Sequence, residues 1–83
     1  MYKELVLKYI KNLTPADIEN YAKSRNIILS NDEINIIFNF ILKYYEDILN
    51  KNTEVFKKLK PYINDDLYNK IIYLYEENKN KYL

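Results

Sequence analysis

The stretch that decides the fold is DEINIIFNFILKYYEDIL, Asp32 to Leu49. At about 100° per residue, Ile34, Ile37, Phe38, Ile41, Leu42, Tyr45, Ile48 and Leu49 fall in one arc roughly 140° wide, the pattern of a core-facing helix. Outside that arc Ile36, Phe40 and Tyr44 recur one turn apart, set among Glu33, Asn35, Asn39, Lys43 and Asp47. The stretch therefore predicts a long helix with a broad core face and a second, thinner apolar seam.

The flanks predict shorter helices. Upstream, Tyr2, Leu5, Val6, Tyr9, Ile10 and Leu13 follow helical spacing and predict a first helix with that stripe inward. Thr14, Pro15 and Asp17 form a start signal: a cap, a proline at the first helical position, and a carboxylate three residues after the cap. The second helix they open carries Ile18, Tyr21 and Ala22 inward and stops at Asn26, the best substitute for glycine in a chain without any. Ile27 to Leu29 read as an extended linker tucked inward, and Ser30 with Glu33 as a second capping box.

Downstream, NKNT at Asn50–Thr53 interrupts the pattern. A fourth helix is expected over EVFKKLKPYI, with Val55, Phe56, Leu59 and Ile63 inward and Pro61 ending or kinking it. Asn64, Asp65 and Asp66 then open a fifth, with Leu67, Tyr68, Ile71, Ile72, Leu74, Tyr75 and Tyr82 as its stripe and its last residues frayed. No segment alternates as a strand does. The expected fold is all-α: one domain over 1–83, a compact bundle of about five short helices around a long central third.

Size and composition narrow the function. A chain of 83 residues buries roughly 60–65% of its extended surface, enough for one small core. Asn, Ile, Lys and Tyr dominate, and all have AT-rich codons, which fits a bacterial or mobile-element origin. The chain has no Gly, Cys or His. It thus lacks thiolate and imidazole ligands, the usual base for a nucleophile, and the glycines of a phosphate loop. The adjacent carboxylates point about 100° apart on a helix and cannot work across a cleft. Catalytic, cofactor and metal sites are not expected. The net charge of +1 exerts no general pull on polyanions or membranes, and the apolar runs are too short to span a bilayer. A cytoplasmic, non-enzymatic protein is the expectation.

The segments LTPADIENYAKSRNIILSNDEINII and DILNKNTEVFKKLKPYINDDLYNKIIYLYEEN resemble the YqfT-like family, small domains of unknown function from low-GC Gram-positive bacteria. The resemblance spans about Leu13 to Asn78 and rests on helix starts and stops. It implies a small bacterial helical protein with no activity to carry over. Members of that family carry a glycine in the loop before the fourth helix; this chain does not.

Two binding surfaces follow. Ile36, Phe40 and Tyr44 form a strip suited to docking another protein or a second copy of the chain, as a regulator, inhibitor or adaptor would. Lys51, Lys57, Lys58 and Lys60, with Tyr62, form a patch able to touch a nucleic-acid backbone. Against a helix-turn-helix reading, Asp32 and Glu33 open the helix that would enter the groove.

Overall fold

Three helix starts are set by side-chain caps, and two helix ends by backbone reversals. In a computed structural model, the backbone of residues 2–82 and the side chains of residues 4, 5 and 7–79 are described. The elements are α1 (Tyr2–Lys11), α2 (Pro15–Ser24), α3 (Asn31–Leu49), a 3-10 helix (Thr53–Leu59) and α4 (Asp65–Tyr82). This is an all-α bundle with a long third helix.

Both capping boxes close. Asp17 N donates to Thr14 Oγ1 at 3.3 Å while Thr14 N donates to Asp17 Oδ2 at 2.9 Å. Glu33 N donates to Ser30 Oγ at 3.2 Å while Ser30 N donates to Glu33 Oε1 at 2.8 Å. Asn64 Oδ1 receives Leu67 N at 2.7 Å and starts α4. The helix ends use left-handed residues. Asn26 has φ 62°, and Ile27 N and Asn26 N return to the carbonyls of Ala22 and Lys23. Lys51 also has φ 62°, with Asn52 N and Lys51 N returning to Asp47 and Ile48. That reversal turns Lys51 out of helical register. Asn52 Nδ2 then lies 3.5 Å from Asp47 Oδ1.

Three expectations are corrected. The fourth helix is a 3-10 helix, because Pro61 has no N–H and its ring crowds the carbonyl of Lys57, which instead accepts from Lys60 N at 3.2 Å. Val55, Phe56 and Leu59 are still its buried residues. The α1 stripe is only partly as expected: Ile10 and Leu13 are half-buried, but Leu5 and Tyr9 are 66% and 62% exposed and Leu7, outside the stripe, is half-buried. The expected stripe members Tyr2 and Val6, like Tyr82 of α4, have side chains outside the described set. In the linker, Ile27 and Leu29 are half-buried but Ile28 stands out, 79% exposed. α4 runs to Tyr82.

α3 runs through the middle of the fold. α1 and α2 pack on it from one side and the 3-10 helix from another, and α1 also touches α4. Phe40, Val55, Phe56, Leu59 and Tyr75 form the core cluster, with Ile36, Ile41, Tyr44, Ile48, Ile63, Tyr68, Ile71 and Ile72 packed around it. Full burial of a side chain such as Val55, Phe56 or Leu59 contributes roughly 1.5–3 kcal/mol before ordering costs. Arg25, just past the end of α2, donates to Glu77 and ties α2 to α4; this bond raises the guanidinium pKa above its ordinary value. Beside it, Asn78 Nδ2 donates to the Tyr21 hydroxyl at 2.8 Å.

Candidate docking face

The proposed docking strip is core. Phe40 is 7% exposed and sits between Tyr44 and Phe56, its ring centroid 5.2 Å and 5.5 Å from theirs. Ile36 and Tyr44 are half-buried against the same cluster. The reason is angular. Tyr44 lies only about 20° round the helix from Ile37, so strip and core arc run together as one face about 240° wide, whose only exposed apolar residue is Leu42 at its edge. The 3-10 helix and α4 cover its far side. The face of α3 that remains open carries Asn35, Asn39, Leu42, Lys43 and Glu46.

Of the lysine patch, three members stand on the 3-10 helix or at its end, all exposed. Lys57 Nζ is 2.9 Å from Glu54 Oε2, and that hydrogen bond raises the lysine pKa. Lys58 Nζ lies 5.6 Å from the centre of the Tyr44 ring, and Lys60 Nζ 5.1 Å from that of Tyr68. Lys51 is exposed at the end of α3 and shares no ring or ion pair with the other three.

The structure adds a residue the sequence reading left out. Lys43 Nζ lies 5.3 Å from the Tyr44 ring, so two ammonium groups, from α3 and from the 3-10 helix, share one tyrosine. Tyr44 occupies a kink in α3, with φ −117° and ψ 17°. The two surfaces read separately from the sequence thus meet at this residue, half in the core and half beneath the lysines. Nothing in the spacing of Lys43 and Lys58 could reveal this, since the packing of the 3-10 helix on α3 brings them together.

Tyr62, just beyond Lys60, is 68% exposed. Lys43 and Lys58 over Tyr44, and Lys60 over Tyr68, make a ridge of cations carried on aromatic rings. Cation–π contacts of this kind hold a long flexible side chain in place without neutralising it. None of Lys43, Lys58 and Lys60 forms an ion pair with a carboxylate among the described residues. Charge is also segregated along the chain. Residues 51–62 hold four lysines against Glu54, a net of +3, leaving nine basic and eleven acidic residues elsewhere, a net of −2.

No family model, curated protein or solved structure matches this chain. The ridge must therefore be read from its own chemistry. Elsewhere the carboxylates serve the fold: Asp66 pairs with Lys70 at 3.0 Å and Glu76 with Lys79 at 2.8 Å. Among the described residues no group of three carboxylates stands together as a metal site would require, and no helix is long and apolar enough to cross a membrane.

Proposed function

We propose that the protein is a small non-enzymatic binding module that docks an acidic segment of another protein on its lysine–tyrosine ridge. The observation that carries this reading is the pair Lys43 and Lys58 on the ring of Tyr44, with Lys60 on Tyr68: cations held in place and without carboxylate partners among the described residues. Pre-positioned charge lowers the ordering cost of binding. Tyrosine is a common anchor at protein interfaces, and the exposed ring of Tyr62 supplies apolar contact beside the charges. Unlike the Ile36–Phe40–Tyr44 strip, the ridge is open.

A second reading has its own support. An exposed tyrosine beside lysines is also a stacking platform for a single-stranded nucleic acid. The acidic-protein reading is preferred because residues outside the ridge carry a net −2, which repels a long polyanion laid across the molecule but not a short acidic segment confined to the ridge.

Fluorescence anisotropy with a labelled Glu/Asp-rich peptide and a labelled oligothymidine tests both. The peptide is expected to bind, more weakly as salt rises, and Lys58→Glu with Lys60→Glu to weaken binding at least ~10-fold at unchanged helicity. Tighter binding of the oligonucleotide, with the steep salt slope of phosphate contacts, transfers the assignment to the second reading. If neither probe binds, the ridge is not a docking face.

A further inference from the structure

Lys43 Nζ lies 5.3 Å and Lys58 Nζ 5.6 Å from the centre of the same Tyr44 ring. Those two distances cap the separation of the ammonium groups at about 11 Å, of the order of the Debye length in ordinary buffers. The charges are thus held as a pair, close enough to feel one another. Their seat is itself anchored. Tyr44 is half-buried, and its ring centre is 5.2 Å from that of Phe40, a core residue. One lysine comes from α3 and the other from the 3-10 helix, so the ring fixes a spacing that neither element sets alone.

The carboxylates nearest in sequence leave this pair alone. Glu54 is taken by Lys57 at 2.9 Å, and Asp47 lies 3.5 Å from the side chain of Asn52. Glu46 lines a shallow notch with Leu7 of α1. Every Asp and Glu of the chain is among the described residues, and none forms an ion pair with Lys43 or Lys58.

Two ammonium groups held this close are matched by two carboxylates held equally close. On an extended segment, residues two apart face the same side and stand about 7 Å from each other, so both reach the pair at once. Carboxylates six residues apart also share a side but stand about 20 Å from each other, so only one reaches it. We infer that the Tyr44 seat selects acidic segments whose carboxylates lie two residues apart, one for Lys43 and one for Lys58. Tyr44 acts here through the lysines, as a positioning residue. The inference rests on the docking role proposed for the ridge and specifies the partner that the ridge takes.

Two labelled peptides of equal length, composition and net charge test it by fluorescence anisotropy. Their acidic residues lie two apart in one and six apart in the other. The comparison uses the Lys60→Gln protein, so that the cation on Tyr68 gives the spread peptide no second contact. The clustered peptide is expected to bind about 5-fold more tightly, the upper range for one further exposed ion pair. Lys43→Gln, at an exposed position, should erase this preference with the fold intact. Tyr44→Leu should erase it with both charges still present, and Tyr44→Phe should keep it, because the ring face remains. Circular dichroism and urea midpoints tell a lost fold from a lost seat in Tyr44→Leu; if that variant unfolds, Lys43→Gln decides. Equal binding of the two peptides, a preference that survives Lys43→Gln or a folded Tyr44→Leu, or one lost in Tyr44→Phe would overturn the inference and leave the ridge a docking face. Binding of neither peptide by the wild-type chain would remove the docking role and this inference with it.

Discussion

The rings of Phe40 and Phe56 lie 5.5 Å apart and tilted by 40°, one from the middle of α3 and one from the 3-10 helix. Phe56 passes the contact on to Tyr75 of α4 at 4.9 Å. Three elements are joined by this aromatic row, with Phe56 at its centre and Phe40 as its buried member on α3. Phe40→Ala should therefore lower unfolding stability by about 3 kcal/mol or more, the range for a phenylalanine removed from a core. Phe40→Asp should leave no cooperative transition, because it buries an unpaired carboxylate in a chain of marginal stability. Urea unfolding followed by circular dichroism measures both. A folded Phe40→Asp would mean that the seam is surface after all.

The two capping boxes give a second prediction. Thr14 and Ser30 each exchange a pair of hydrogen bonds with the carboxylate residue three positions on. Thr14→Ala and Ser30→Ala should each cost about 1 kcal/mol. Their effects should add, since the caps belong to different helices and share no partner. Denaturant midpoints of the single and double variants check this; a double variant no worse than either single one would contradict it.

These caps were legible in the sequence because their chemistry is local: Thr14, Asp17, Ser30 and Glu33 need only their neighbours. Asn26 was legible for the same reason. What the sequence could not supply was the covering of each face. Periodicity groups Ile36, Phe40 and Tyr44 on one side of α3, but only the return of the 3-10 helix and α4 decides that they are enclosed. The apolar residues of α1 span so much of its circumference that spacing alone put Ile10 and Leu13 inward correctly but could not tell that Leu7, rather than Leu5 and Tyr9, would join them. The ridge was half visible: the lysines are in the sequence, but their seats on Tyr44 and Tyr68, and the part played by Lys43, depend on tertiary packing.

Lys51 marks a place where the chain carries strain it does not need. Its φ of 62° puts Cβ against the following carbonyl, a conformation costing a non-glycine residue roughly 1 kcal/mol. Lys51→Gly should raise stability by about that amount, a gain of several degrees in Tm for a domain of this size. Asn26→Gly, at the same φ, should gain less, because asparagine tolerates this region. Lys51→Val should do the reverse, since a β-branched side chain fits left-handed geometry poorly. Thermal melts rank the three; a Lys51→Gly protein less stable than the parent would mean that the lysine side chain itself holds the turn.

Tyr75 makes the fold sensitive to high pH. It is buried between α3 and the 3-10 helix, and burial raises its hydroxyl pKa above the ordinary value of about 10, an effect that the charge of Lys79 partly offsets. A phenol that ionises less readily in the folded chain than in the unfolded one leaves stability intact below pH ~10. Above that point the unfolded state loses its proton first, so stability falls as pH rises towards the folded pKa. Tyr75→Phe removes the ionisable group while keeping the ring against Phe56. The hydroxyl lies 3.5 Å from the Ile48 carbonyl oxygen, a long contact, so at pH 8 the substitution should cost no more than about 1 kcal/mol. Between pH 9.5 and 11 the parent should lose stability more steeply than Tyr75→Phe. Urea midpoints across that range measure the difference, and parallel curves would mean that Tyr75 ionises as freely in the folded protein as in the unfolded chain.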